Sequence, residues 1–187
     1  MALMIFLYGF FGCRTKEESR KAAKEKDSSE VKVNEPSSNV SIREVALNGQ
    51  TDQVMSLLDR GVAVDTLDAE GRTPLMYASF NGHYELMKRL IEKGANVNLQ
   101  DSYGRTALMM ASSGPYAKSA KLLLDSYADP NISDTEEHFT ALMYAASEGQ
   151  MEVVRLLIAN KADPFLKDID GDYAFTFAKN NGHGEVA

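Results

Sequence analysis

Tryptophan is absent from this 187-residue chain, and cysteine occurs once, at position 13. A single cysteine cannot close an internal disulfide, so no covalent framework supports the fold. No block of lysine and arginine interrupts a net charge of −7. Nucleic-acid binding relies on clustered cations that neutralise phosphates, so no nucleic-acid partner is expected. No run of 18 or more apolar residues occurs, which excludes a conventional transmembrane helix. The three histidines, His83, His138 and His183, form no ligand-like pair such as i, i+4, so no metal site is expected. A nucleophile-elbow motif, a phosphate-binding loop and a dinucleotide fingerprint are all missing. Neither a cofactor nor an enzymatic reaction is therefore expected.

What is present suits one packed domain. Apolar residues make up 44 % of the chain and charged residues 25 %, close to ordinary globular usage. The acidic excess lies downstream. Arg14 to Glu35 holds 7 basic and 6 acidic residues, whereas Pro36 to Ala187 holds 13 basic and 21 acidic. An acidic domain favours a basic or neutral partner over an anionic surface.

Residues 1–13 are apolar up to Gly12-Cys13, and a highly charged stretch follows. A dozen apolar residues cannot span a bilayer but suit the apolar core of a secretion signal. Gly12-Cys13 after such a run resembles a bacterial lipoprotein signal, in which the cysteine becomes the lipidated first residue. The segment departs from that pattern in two ways. No Lys or Arg precedes Arg14, and Phe10 and Phe11 stand where small or aliphatic residues are usual. The resemblance implies lipidation at Cys13, a membrane anchor through that lipid, and residues 14–40 as a flexible charged linker. The plainer alternative is an uncleaved or disordered apolar start with an incidental cysteine.

From residue 41 to 187 the chain repeats itself. Thr73-Pro-Leu-Met-Tyr-Ala78 recurs as Thr106-Ala-Leu-Met-Met-Ala111, as Thr140-Ala-Leu-Met-Tyr-Ala145, and degenerately as Tyr173-Ala-Phe-Thr-Phe-Ala178. The steps are 33, 34 and 33 residues, and the extra residue falls within Asp134–Phe139. A second marker keeps the same step: Leu57-Leu58, Leu90-Ile91, Leu123-Leu124 and Leu157-Ile158, each followed by a Gly, Tyr or Lys and then an Asp, Asn or Phe. Several registers held at one period indicate stacked units that cannot bury their apolar faces alone.

Each register has a physical task. Thr73, Thr106 and Thr140 are placed to cap helix starts, and Pro74 suits a first helical position. Leu75 and Ala78 form the stripe of a short first helix; Leu86, Leu90 and Ile91 form that of a second. Gly82, Gly149 and Gly182 allow the turn between them, and Gly61 and Gly94 suit left-handed caps. Asp68, Asp101, Asp134 and Asp168 open connecting hairpins. Tyr127 and Lys161 occupy the cap-glycine register, and Gly114-Pro115 should distort the third turn. Asp168-Ile-Asp170-Gly-Asp172 has the opening spacing of a calcium loop, but Lys179 stands where the bidentate Glu is needed.

These registers resemble the ankyrin-repeat family over about four-fifths of the chain. The resemblance implies an all-α solenoid of helix–turn–helix repeats joined by hairpin-like loops. About four repeats and an incomplete last one are expected, with that last half-repeat fraying. It further implies a protein-binding module whose hairpin tips and first helices line one concave face. Where the family usually has His after Thr-Pro-Leu, this chain has Met76, Met109 and Met143, so apolar packing should replace the histidine's hydrogen bonds. Mapped by register, the partner-binding candidates are Arg72, Phe80, Asn81, Tyr103, Arg105, Phe139 and Glu148, positions expected to be free of core demands and so open to serve a partner; aromatic residues and Arg carry much of typical interface energy. The expectation is a monomeric, lipid-anchored module in the bacterial envelope. The alternative is a soluble intracellular or host-delivered adaptor in the cytoplasm.

Overall fold

The computed structural model describes residues 41–185. The segments read as a signal and a linker, and Cys13 with them, lie outside the described residues. Within those residues the chain forms helices α1 (Ile42–Leu47), α2 (Thr51–Asp59), α3 (Pro74–Phe80), α4 (Tyr84–Glu92), α5 (Ala107–Ser112), α6 (Ala117–Asp125), α7 (Ala141–Ser147), α8 (Met151–Ala159) and α9 (Ala174–Asn180). The one bridge between extended residues among them joins Ser133 to Thr140. The architecture is an all-α repeat solenoid.

Pairing follows the repeat. α1 packs on α2, α3 on α4, α5 on α6 and α7 on α8. The first helices then stack in order, α1 on α3, α3 on α5, α5 on α7 and α7 on α9, while α4, α6 and α8 stack beside them. Leu75, Leu108 and Leu142 sit at one register of the first helices, and Leu90, Leu123 and Leu157 at one register of the second; all six are essentially solvent-free. Helices this short are marginal in water. Burial against both neighbours holds them.

The caps show why these segments start where they do. The hydroxyls of Thr73, Thr106 and Thr140 accept the amides of Met76, Met109 and Met143 at 3.2–3.4 Å. Each methionine answers: its sulfur accepts the threonine amide at 3.4–3.5 Å. The methionines are buried as expected, yet they also close a reciprocal cap, with sulfur standing in for the usual carboxylate. In the last repeat the arrangement is halved. Tyr173 cannot cap, and the Thr176 hydroxyl accepts the Tyr173 amide at 3.4 Å.

The turn glycines do more than turn. Gly82 has φ +66°, and a Cβ there would lie 2.2 Å from the Tyr116 ring. Gly49 and Gly149 are likewise pressed by the rings of His83 and His183. One repeat thus inserts a ring against the turn of the repeat before it. His83 also donates from Nε2 to the Leu47 carbonyl at 2.8 Å. Pro115 stands at the Gly82 register and cannot adopt positive φ; α5 has six residues where α3 has seven. Tyr127 and Lys161 take φ of 67° and 69°, the left-handed cap conformation that Gly61 and Gly94 supply elsewhere.

Candidate protein-binding face

The hairpins between repeats are built on one aspartate each. Asp68 Oδ1 accepts the amides of Glu70 and Arg72 at 3.0 and 2.8 Å. Asp101 does so for Tyr103 and Arg105, and Asp168 for Asp170 and Asp172. The Asp168–Asp172 run is therefore a hairpin of the same design, its acidic spacing explained by backbone bonds. In the expanded hairpin Asp134 accepts from Glu137 and Phe139, one residue farther on. His138 there takes φ 59° at the register of Gly71 and Gly104. The tips join in a ladder: the amides of Ser102, Thr135 and Ile169 donate to the carbonyls of Glu70, Tyr103 and Glu137 at 2.9–3.0 Å.

Tyrosines on the first helices brace this ladder. The Tyr77 hydroxyl donates to Asp68 Oδ2, and Tyr144 donates to Asp134 Oδ2 at 2.8 Å. Burial pushes the Tyr144 hydroxyl well above its ordinary value, and the Asp134 charge adds to the shift. Burial likewise raises Tyr77, with its bond to Asp68 adding to the effect. Burial alone would raise Asp68, but the bonds from Tyr77, Arg72 and Glu70 outweigh it and hold the carboxyl below its ordinary range. These braces were not anticipated from sequence. The signal was a Tyr nine or ten residues after a hairpin Asp.

The candidate residues divide into two sets. Phe80, at the end of α3, is 45 % exposed, and Tyr103, at a hairpin tip, is 37 % exposed. Glu148 is exposed where α7 ends. Arg105 lies 4.8 Å from the centre of the Tyr103 ring and grips the buried Asp101 carboxylate from Nε and Nη2 at 3.0 and 2.7 Å. Arg72 is held more loosely, with Nε 3.6 Å from Asp101 Oδ2 and its guanidinium 6.0 Å from the Tyr77 ring centre. Arg43 approaches the same ring at 5.8 Å, a contact with no register signal, because α1 lacks the Thr-Pro-Leu start.

The premise that core demands leave all seven positions free needs correcting. Asn81 Nδ2 donates to the Leu47 carbonyl at 2.8 Å and ties one repeat to the last, as Asn181 does through Ser147. Phe139 is partly buried against the core, its ring centre 5.6 Å from Tyr144 and 4.7 Å from Phe177. Arg105 is fixed by Asp101. Phe80, Tyr103 and Glu148 carry the least structural work of the seven.

The model of a three-copy ankyrin repeat matches residues 42–134, and a many-copy ankyrin model matches residues 123–178. The chain belongs to the ankyrin-repeat family. No curated protein matches it. Ankyrin repeats are protein–protein interaction modules. Among the described residues, no helix is long and apolar enough to cross a membrane, and no group of three or more His, Cys, Asp or Glu is arranged to hold a metal ion.

Proposed function

We propose that this ankyrin-repeat protein binds another protein through its hairpin tips and first helices, and that a lipid on Cys13 tethers it to a bacterial envelope membrane. One observation carries the binding reading. Phe80 exposes aromatic surface at the end of helix α3, and Tyr103 does so on a hairpin backbone held by Asp101 and by the tip ladder. Rigid aromatic anchors lose little conformational entropy on binding. A catalytic reading finds no support in the hairpin carboxylates, because Asp68, Asp101, Asp134 and Asp168 are each spent on backbone amides. The acidic balance favours a basic or neutral partner.

Two measurements test the two halves. Full-length protein and a Phe80→Ala, Tyr103→Ala double variant are compared as baits. The double variant is expected to weaken capture of a specific partner at least about tenfold, corresponding to about 1.4 kcal/mol. Equal recovery by both removes these residues from the site. For the tether, labelled fatty acid should be incorporated by the parent and not by Cys13→Ala. The alternative is a soluble intracellular or host-delivered adaptor; unlabelled parent protein would overturn the lipoprotein reading.

A further inference from the structure

The Arg72 guanidinium has a donor to spare. Its Nε is shut off from solvent and has no hydrogen-bond partner among the described residues; the nearest carboxylate oxygen, Asp101 Oδ2, is 3.6 Å away. Folded proteins pair nearly all of their buried donors, so an orphan of this kind calls for an explanation. A second guanidinium stands close by. Arg43 of α1 is exposed, and among the described residues its side chain forms no ion pair or hydrogen bond. Its guanidinium lies 5.8 Å from the centre of the Tyr77 ring, and that of Arg72 lies 6.0 Å from the same centre. Two cations thus converge on one aromatic side chain.

The acids around them are engaged elsewhere. Asp68 accepts the amides of Glu70 and Arg72 and the Tyr77 hydroxyl. Asp101 is gripped by Arg105 at 2.7 Å, closer than Arg72 comes. Glu70 forms no ion pair with either arginine, and its Oε2 is itself buried without a partner. The other half of the face has the opposite character. The register of Arg72 and Arg105 continues as Phe139 and Asp172, and the third and fourth hairpins expose Glu136, Glu137 and Asp170. Guanidinium groups therefore gather over α1 to α5, and carboxylates beyond them.

We infer that the partner segment lying over α1, α3 and the first two hairpins is acidic, and that Arg43 and Arg72 together take up one of its carboxylates. The inference rests on the protein-binding reading above and gives that partner a chemistry. A guanidinium fork matches a carboxylate in shape and charge. A carboxylate would offset the mutual repulsion of two cations beside one ring, whereas a basic segment would add to it. The net charge of the domain favours a basic or neutral partner at long range, and this half of the face is the local exception. The carboxylates of the third and fourth hairpins repel an acidic segment, so it is confined to the α1–α5 half.

Neighbouring packed helices lie about 10 Å apart, so α1 to α5 covers about 20 Å, the length of about six extended residues. Fluorescence polarisation of the full chain therefore uses labelled peptides of about eight residues, alternating Ser with Glu in one and Ser with Gln in the other. The parent is expected to bind the Glu peptide at least about tenfold more tightly than the Gln peptide. An Arg43→Gln, Arg72→Gln variant should lose that preference. A Lys88→Gln, Lys118→Gln control makes the same change in net charge at exposed positions of α4 and α6, and it should bind like the parent. Circular dichroism checks that the arginine variant is folded; if it is not, Arg43→Gln alone replaces it, with a loss of at least about threefold expected. A parent without preference for the Glu peptide overturns the inference. So does an arginine variant that binds as the parent does, or a lysine control that loses as much, which would make the effect one of net charge. A partner protein lost by Phe80→Ala, Tyr103→Ala but kept by the arginine variant would overturn this inference and leave the binding reading standing.

Discussion

The four hairpin aspartates are the residues on which the exposed face depends, and two of them lean on tyrosines. Tyr144 donates to the buried Asp134, so Tyr144→Phe leaves a buried carboxylate oxygen short of a donor. Such a loss costs about 1–3 kcal/mol. The pH dependence follows from the direction of the shift. Burial raises the Tyr144 hydroxyl above its ordinary value, so the stability linked to it is complete below the unfolded value of about 10 and drains away as pH rises beyond it. Asp68 behaves oppositely: its carboxyl is lowered, and its contribution holds above about pH 4 and fades in acid. Urea titrations at about pH 8 and about pH 11 should show the parent losing stability at the higher pH. Tyr144→Phe should start lower and lose less, with Tyr77, also raised, keeping part of the slope. An equal alkaline loss in parent and variant would remove Tyr144 from this role.

At the scale of the turn and its neighbouring helix, Gly82 and Gly182 separate two demands. Both have positive φ, at 66° and 79°, but only at Gly82 would a Cβ strike a ring, that of Tyr116 at 2.2 Å; Gly182 meets nothing within 4 Å. Gly182→Ala should therefore cost the backbone term alone, about 1–2 kcal/mol. Gly82→Ala adds displacement of Tyr116 and should cost about 1–3 kcal/mol more. Equal costs by urea denaturation would show that the ring is not seated there. The comparison marks what could be read in advance. Thr73, Pro74, Gly82 and Asp68 act locally, through hydrogen bonds and φ values within a few residues, so their registers announced caps, turns and hairpins. The ring on Gly82 comes from 34 residues downstream, and nothing local to Gly82 signals it. The same distance hid the work of Asn81, which ties α3 to the Leu47 carbonyl, and of Phe139, which fills space beside Phe177. Both looked free because their partners lie a repeat away. The Phe80 and Tyr103 side chains are 45 % and 37 % exposed.

Across the whole stack, each layer touches only its neighbours, so stability is a sum of repeat terms and interface terms. An inner layer such as α5 with α6 has two interfaces, and an end layer has one. Local opening should therefore be easiest at the ends, and hydrogen exchange should be slowest in α3 to α7 and fastest in α9, which packs on α7 alone among the first helices. Leu108 lies in α5 with no exposure, between the α3 and α7 layers. Leu108→Ala should cost about 3–5 kcal/mol. It should also uncouple the two halves, so that exchange in α7 to α9 accelerates while α1 to α3 retain their own interfaces. Uniform acceleration from α1 to α9 would mean that the stack opens as a single unit, and nearest-neighbour energetics would then not describe it.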